Sequence, residues 1–163
     1  MTIDELNQRG REDFVSAIGW VFEESPWVAA RGWERRPFGS LDDLHATLAS
    51  IVGSAAHGEQ IALLKAHPDL GARGPMPIVS EQEQSGAGLS DLRPDDVDRL
   101  TALNAAYTNK FGFPFIYAVK GATKQDILDA LNRRLASSRD DEITEALRQV
   151  YRIARFRLET IIS

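Results

Sequence analysis

What most constrains this chain is the return of apolar residues at three- and four-residue steps from one end to the other, in stretches cut short by glycine, proline or a capping residue. After Arg11 the residues Phe14, Val15, Ile18, Val21 and Phe22 keep that spacing, and after Ser40 so do Leu44, Leu48, Ile51 and Val52. Val97, Leu100, Leu103, Asn104, Tyr107 and Phe111 follow suit, then Ile127, Leu128, Leu131 and Leu135. A chain patterned this way buries helix stripes against one another, so the expected fold class is all-α: a single-domain multi-helix bundle over residues 1–163. With 163 residues, 43% of them hydrophobic, it is long enough to bury a core without disulfides or metals.

Capping chemistry sets the expected boundaries. Thr2 with Glu5 opens a short first helix ending near Gly10, and the helix after Arg11 should run to about Glu24. Ser25-Pro26 restarts the chain, with serine positioned to accept from free amides and proline suited to a first helical turn. That third helix, carrying Trp27 and Trp33, stops before Pro37. Ser40 with Asp43 starts a fourth; Ile61, Leu63 and Leu64 mark a fifth, whose end is set by Pro68, because proline disfavours helical geometry at His67 before it. Gly71 to Pro77 reads as loop, and Ser80 with Glu83 repeats the capping-box spacing. A long helix from Asp91 closes at Gly112. The continuously apolar run Phe113 to Val119 reads as a buried extended segment among the helices, Thr123 caps the next helix, and a polar turn at Ser137–Asp140 leads into the last, which runs to Ile161.

Charge and composition narrow the function. The 24 acidic residues outnumber 19 basic ones, which are spread along the chain and offer no footprint for a phosphate backbone, so nucleic acid is not an expected partner. No apolar run spans a bilayer, and the acidic start and the Ile161-Ile162-Ser163 ending match neither a signal peptide nor a peroxisomal address. A cytoplasmic protein is expected, with no membrane partner. The absence of cysteine excludes thiolate metal sites and a cysteine nucleophile, and the three histidines are not paired at ligand spacing on one helix, so no metal is expected.

Chemistry concentrates between His67 and Leu89. An imidazole at a helix end gives or takes a proton near neutral pH, though it also complements the helix dipole in an ordinary structural role. Glu83 and Gln84, in a first helical turn with Ser80, either offset the dipole or wall a site for an anionic ligand. Near the C-terminus Arg148, Arg152, Arg155 and Glu159 make a polar face, whereas Val150, Ala154, Arg157 and Ile161 share the opposite stripe. Arg157 therefore points inward, and needs an anion there: a ligand, or a structural carboxylate such as Glu83 or Asp69. Both readings stand.

Several motifs in order carry a resemblance. Phe22-Glu23-Glu24-Ser25-Pro26-Trp27, Arg36-Pro37-Phe38, His67-Pro68-Asp69-Leu70-Gly71, Ser80-x-x-Glu83-Gln84-x-x-Ala87-Gly88-Leu89, Asn104-x-x-Tyr107-x-x-Lys110-Phe111-Gly112-Phe113-Pro114-Phe115-Ile116 and Ile153-Ala154-x-x-Arg157-Leu158 together resemble the 2-oxo-4-hydroxy-4-carboxy-5-ureidoimidazoline (OHCU) decarboxylases over nearly the whole chain. The resemblance implies an all-α, usually homodimeric, cofactor-free enzyme that converts the product of urate oxidation and hydration into (S)-allantoin and carbon dioxide. It places the family's catalytic histidine on His67, its essential glutamate on Glu83 and its substrate-binding arginine on Arg157. Pro68, Ser80 and Gln84 match pocket positions, and the segment Phe115, Ile116, Tyr117, Ala118 and Val119 would present backbone groups to the substrate ring. Two readings from other classes compete: a helical interaction module whose partner-binding surface is formed by the exposed aromatics Trp27 and Trp33 and the His67 loop, and a metal-dependent ureide hydrolase.

Overall fold

The computed structural model describes residues 1–68 and 93–163. Among these are eight α-helices, one 3-10 turn and no strand: α1 (Ile3–Asn7), α2 (Arg11–Ile18), the 3-10 turn Gly19–Val21, α3 (Trp27–Trp33), α4 (Leu41–Gly53), α5 (His57–Ala66), α6 (Pro94–Phe111), α7 (Lys124–Leu135) and α8 (Arg139–Ile161). The chain is all-α, as the apolar spacing predicts. No described helix is long and apolar enough to cross a membrane. The structure divides into two compact units, Met1–Ala66 with Leu147–Ser163, and His67–Ala146.

Helix starts follow the capping residues. Thr2 Oγ1 accepts from the Glu5 amide at 3.1 Å while the Glu5 carboxylate accepts from the Thr2 amide at 2.8 Å. Ser40 Oγ accepts from the Asp43 amide at 3.1 Å, and Thr123 and Asp126 close a reciprocal pair at 3.1 and 3.0 Å. Each such cap contributes about 1 kcal/mol by satisfying amides that the helix cannot.

The second helix is shorter than its apolar pattern predicts. It stops at Ile18, tightens into the 3-10 turn, and leaves Phe22 extended and Glu24 at φ 45°. Had the helix continued, Glu23 would lie about 140° around from Ile18, off the apolar stripe. Unwinding turns Glu23 inward instead. Ser25 does not cap α3 either: its hydroxyl donates to the Glu23 carbonyl at 2.7 Å, and Pro26 takes the N-cap position. Both departures stabilise a tight bracket around Glu23.

In the first unit α3 packs against α2 and α4. At Gly32 α3 comes close to α4: a Cβ there would stand 2.8 Å from Leu48 Cδ2, so that the leucine side chain would have to shift. Phe14 stacks with Phe38 at 6.2 Å, and Leu44, Leu48, Ile51 and Val52 are all buried, the stripe expected of α4. The C-terminal half of α8 is tied in by polar contacts. Tyr151 O lies 2.7 Å from His45 Nε2, Arg155 pairs with Asp42, and the Ser163 amide donates to Met1 O at 2.9 Å. The first of those contacts gives His45 a structural role: a carbonyl only accepts, so Nε2 is the protonated nitrogen that donates to it.

The aromatic residues Trp27 and Trp33, expected to be exposed, are half-buried. The Arg31 guanidinium covers Trp27 at 4.5 Å and that of Arg36 covers Trp33 at 4.1 Å, so each indole is shielded by a planar cation on its face. Trp20, at 40%, is the exposed large apolar side chain among the described residues.

In the second unit α6 packs on α7. Gly112, at φ 82°, closes α6 in the left-handed conformation, its amide donating to Thr108 O at 2.8 Å. Residues 113–119 form neither helix nor strand, yet Phe113, Phe115, Ile116, Ala118 and Val119 are buried, in agreement with the expected buried segment. Tyr107 anchors them through ring contacts with Phe111, Phe113 and Phe115 at 4.6, 6.0 and 5.3 Å. Its hydroxyl donates to Glu142 at 2.5 Å, and Arg134 donates to the same carboxylate through Nε. Glu142 and Arg134 are only 1% and 3% exposed.

Burial, then the bond to Glu142, holds the Tyr107 hydroxyl protonated well above the ordinary tyrosine range. Its sign is that of a raised folded pKa. Below about pH 10 neither the folded nor the unfolded side chain ionises, whereas above it only the unfolded one does, so stability falls as pH rises. Denaturant melts between pH 8 and 11 are therefore expected to show an alkaline decline that is shallower in Tyr107→Phe; an identical decline in both proteins would assign it elsewhere.

Candidate active site

His67 is the first residue beyond α5, where Pro68 ends the helix as its φ restriction requires. It is 6% exposed, and Pro68 is half-buried. An imidazole so withdrawn from water has few orientations open to it. That is a requirement for directed proton transfer. His57, by contrast, is exposed at the first position of α5. Glu59 forms a two-bond pair with Arg31 at 2.6 and 3.2 Å; the Arg31 guanidinium holds its carboxyl below the usual range.

Arg157 is 4% exposed, on the inward stripe of α8 that the spacing predicts. Its Nη2 donates to Glu23 at 2.8 Å, its Nη1 lies 3.3 Å from the Val21 carbonyl, and its guanidinium stands 6.0 Å from the Trp20 ring. Among the described residues the carboxylate that pairs with the buried cation is Glu23, a residue given no role by sequence reasoning. A signal was available, because Glu23 and Glu24 fall where the α2 stripe runs out beside Ser25-Pro26. All of these groups belong to the first unit. A guanidinium presents five donors in a planar fork, a geometry suited to a carboxylate on one edge and a further oxygen on another.

The segment Phe115–Val119 belongs to the second unit, as do His67 and Pro68. Phe115, Ile116, Ala118 and Val119 are buried, Tyr117 is half-buried, and the Phe115 and Tyr117 rings stack at 6.0 Å and 11°. Two of its carbonyls are engaged within the protein: Ile116 O accepts from Arg134 and Val119 O from the Ala122 amide at 2.9 Å. Ser80, Glu83 and Gln84, and with them Asp69, lie outside the described residues. No cluster of metal-ligating side chains is present among the described residues. A cavity of about 380 Å³ between Thr2–Asp4, Gly39–Leu41 and Ile162–Ser163 includes none of the candidate residues.

The OHCU decarboxylase family model matches residues 7–159. The 2-oxo-4-hydroxy-4-carboxy-5-ureidoimidazoline decarboxylase of Halalkalicoccus jeotgali is 45% identical over 99% of this chain and 92% of its own length. The uric acid degradation bifunctional protein PucL of Bacillus subtilis is 46% identical over 99% of this chain, which spans 33% of that protein. Among solved structures, a crystal structure of (S)-allantoin synthase superposes with a TM-score of 0.80 at 30% identity, covering 99% of this chain and 54% of that one. An OHCU decarboxylase crystallised in the presence of (S)-allantoin shares the fold, with a TM-score of 0.72 at 22% identity over 93% of this chain and 97% of that one. With a family model matched from residue 7 to residue 159 and a relative aligned over almost its full length, this chain belongs to the OHCU decarboxylase family.

Proposed function

We propose that this chain is a cofactor-free carboxy-lyase that converts OHCU to (S)-allantoin and carbon dioxide in urate degradation, with His67 and Glu83 as its catalytic pair. The observation that carries the reading is near-full-length similarity to a protein named for this reaction, joined to a buried imidazole at the end of α5. It acts as a homodimer in the cytoplasm, on a small molecule and on neither nucleic acid nor membrane.

In the reaction the bond between the ring carbon and its carboxylate breaks and carbon dioxide leaves. The electron pair passes into the conjugated C=N of the imidazoline, so the substrate is its own electron sink. What remains for the protein is to orient the carboxylate, stabilise developing charge and deliver one proton to one face of the ring. His67 is the general acid/base at the carbon bearing hydroxyl and carboxylate, and Glu83 fixes its orientation or protonation. Arg157 holds an anionic or carbonyl oxygen, Ser80 and Gln84 the ureido group, and Pro68 with the backbone of Phe115 to Val119 completes the pocket.

Following urate oxidase product by circular dichroism tests this, because an enzyme hastens one allantoin enantiomer over the spontaneous racemate. His67→Asn should abolish that acceleration in a protein that still folds, and the wild-type rate should fall toward both acid and base. Normal turnover by the folded variant, or a flat pH profile, excludes the imidazole.

Glu23 offers a second test, since on this reading it holds the substrate-binding Arg157 in place. A hydrogen bond to a charged group contributes about 1.5–3 kcal/mol, so Glu23→Gln should lower kcat/KM by about tenfold or more. In an Arg157→Met background the same change should have no further kinetic effect. Equal losses in both backgrounds would mean that Glu23 acts independently of Arg157.

A further inference from the structure

Arg134 and Glu142 form an ion pair buried more deeply than that of Arg157 with Glu23, and the reaction as proposed assigns them no part. Burying such a pair does not by itself add stability, because the cost of desolvating both ions offsets or exceeds their attraction; well-packed apolar replacements are often neutral or better. Arg134 also carries donors beyond the one that Glu142 takes.

Its Nε donates to Glu142 Oε1, the same oxygen that accepts from the Tyr107 hydroxyl at 2.5 Å. Its Nη1 donates to the carbonyl of Ile116 at 2.5 Å, and the guanidinium carbon lies 4.5 Å from the centre of the Phe115 ring. One planar cation thus engages two consecutive residues of the irregular segment, one through its main chain and one through its side chain. That segment has no helical or sheet ladder to hold it. A rigid fork is well matched to such a role. A guanidinium can address a carboxylate and a carbonyl from different edges while its face meets a ring, whereas a lysine ammonium has no face and no fixed second donor.

We infer that Arg134 is a positioning residue for the reaction: anchored by Glu142 and Tyr107, it clamps Phe115 and the Ile116 carbonyl and so sets the register in which the Phe115–Val119 backbone meets the substrate. This rests on the proposed reading that the segment contacts the ring. It also refines that reading, since the Ile116 carbonyl belongs to the clamp and Val119 O to a turn with Ala122, so recognition of the ring falls to other main-chain groups of the segment.

The test removes the clamp without leaving a buried charge behind. The triple variant Tyr107→Phe/Arg134→Met/Glu142→Leu replaces every member by an apolar group of similar size, and its melting temperature should match or exceed that of the wild type. Its KM in the circular dichroism assay should nevertheless rise by about tenfold or more, with a smaller change in kcat, because a displaced binding segment weakens substrate positioning while His67 stays in place. Amide hydrogen exchange at residues 115–119 should accelerate in parallel. A folded triple variant with wild-type KM and unchanged exchange overturns the inference. Should the triple variant lack a cooperative melt, Arg134→Lys decides: it keeps the charge beside Glu142 but not the bridge, and an unaltered KM would overturn the assignment equally. Wild-type protein that does not hasten (S)-allantoin would instead bring down the functional reading on which the inference stands.

Discussion

A guanidinium removed from water must take its counter-charge with it, and among the described residues there are two such groups, one in each unit. Arg157 lies buried with Glu23 at 2.8 Å, and Arg134 with Glu142. Removing one partner from a buried pair costs roughly 3–5 kcal/mol, since the remaining ion is left without compensation. The local backbone yields to that requirement. Around Arg157, α2 gives up its last turn, Glu24 takes a positive φ and Ser25 abandons helix capping to donate to the Glu23 carbonyl, all of which bring one carboxylate to one cation. Around Arg134, a tyrosine hydroxyl is buried to donate to the Glu142 oxygen that Arg134 also bonds.

The elements set by local rules were legible in the sequence. Thr2 with Glu5, Ser40 with Asp43 and Thr123 with Asp126 open helices where the residues announce them, and Gly112 ends one in the conformation that favours glycine. The inward face of Arg157 could be read because period alone assigns it. What could not be read was set by distant partners. Gly19, at the C-cap directly after Ile18, is a local sign that α2 can stop there, but what Glu23 pairs with could not be read locally, because its partner is an arginine more than a hundred residues later. Arg134 is the more instructive case, since Arg133-Arg134 looks like an ordinary basic last turn favoured by the helix dipole. Yet Arg134 stands seven residues after Ile127 and four after Ala130, both buried, so the argument that turned Arg157 inward applied here too. Glu142, four residues before the buried Ala146, carried the same signal.

The motifs that suggested a family were informative for a different reason. His67-Pro68 and the run through Phe115 lie where helices end or are absent, and it is there that residue identity is least constrained by packing periodicity. A helix stripe accepts many apolar residues, whereas a histidine before a proline at a helix terminus does not arise from amphipathic patterning.

An all-α enzyme that must hold a small heterocycle rich in donors and acceptors meets a restriction that a mixed fold does not. Inside a helix every amide and carbonyl is already bonded four residues away, so main-chain recognition is possible only at helix termini and in irregular segments. Apart from the side chain of Arg157, the proposed substrate contacts among the described residues fall at such places: the end of α5 at His67 and Pro68, and residues 115–119 after Gly112. Irregular backbone supplies recognition groups but lacks a ladder to fix them, and a misplacement of about 1 Å is enough to lower a rate a hundredfold. Burying such a segment among Tyr107, Phe111 and Phe113 restrains its side chains. Restraining its main chain takes a donor from outside the segment, and the guanidinium of Arg134 is that donor on the Ile116 carbonyl. The buried ion pair and the helix-free stretch are thus one solution, in which charge that would be expensive as a source of stability becomes the fixed point against which an otherwise unsupported backbone is held.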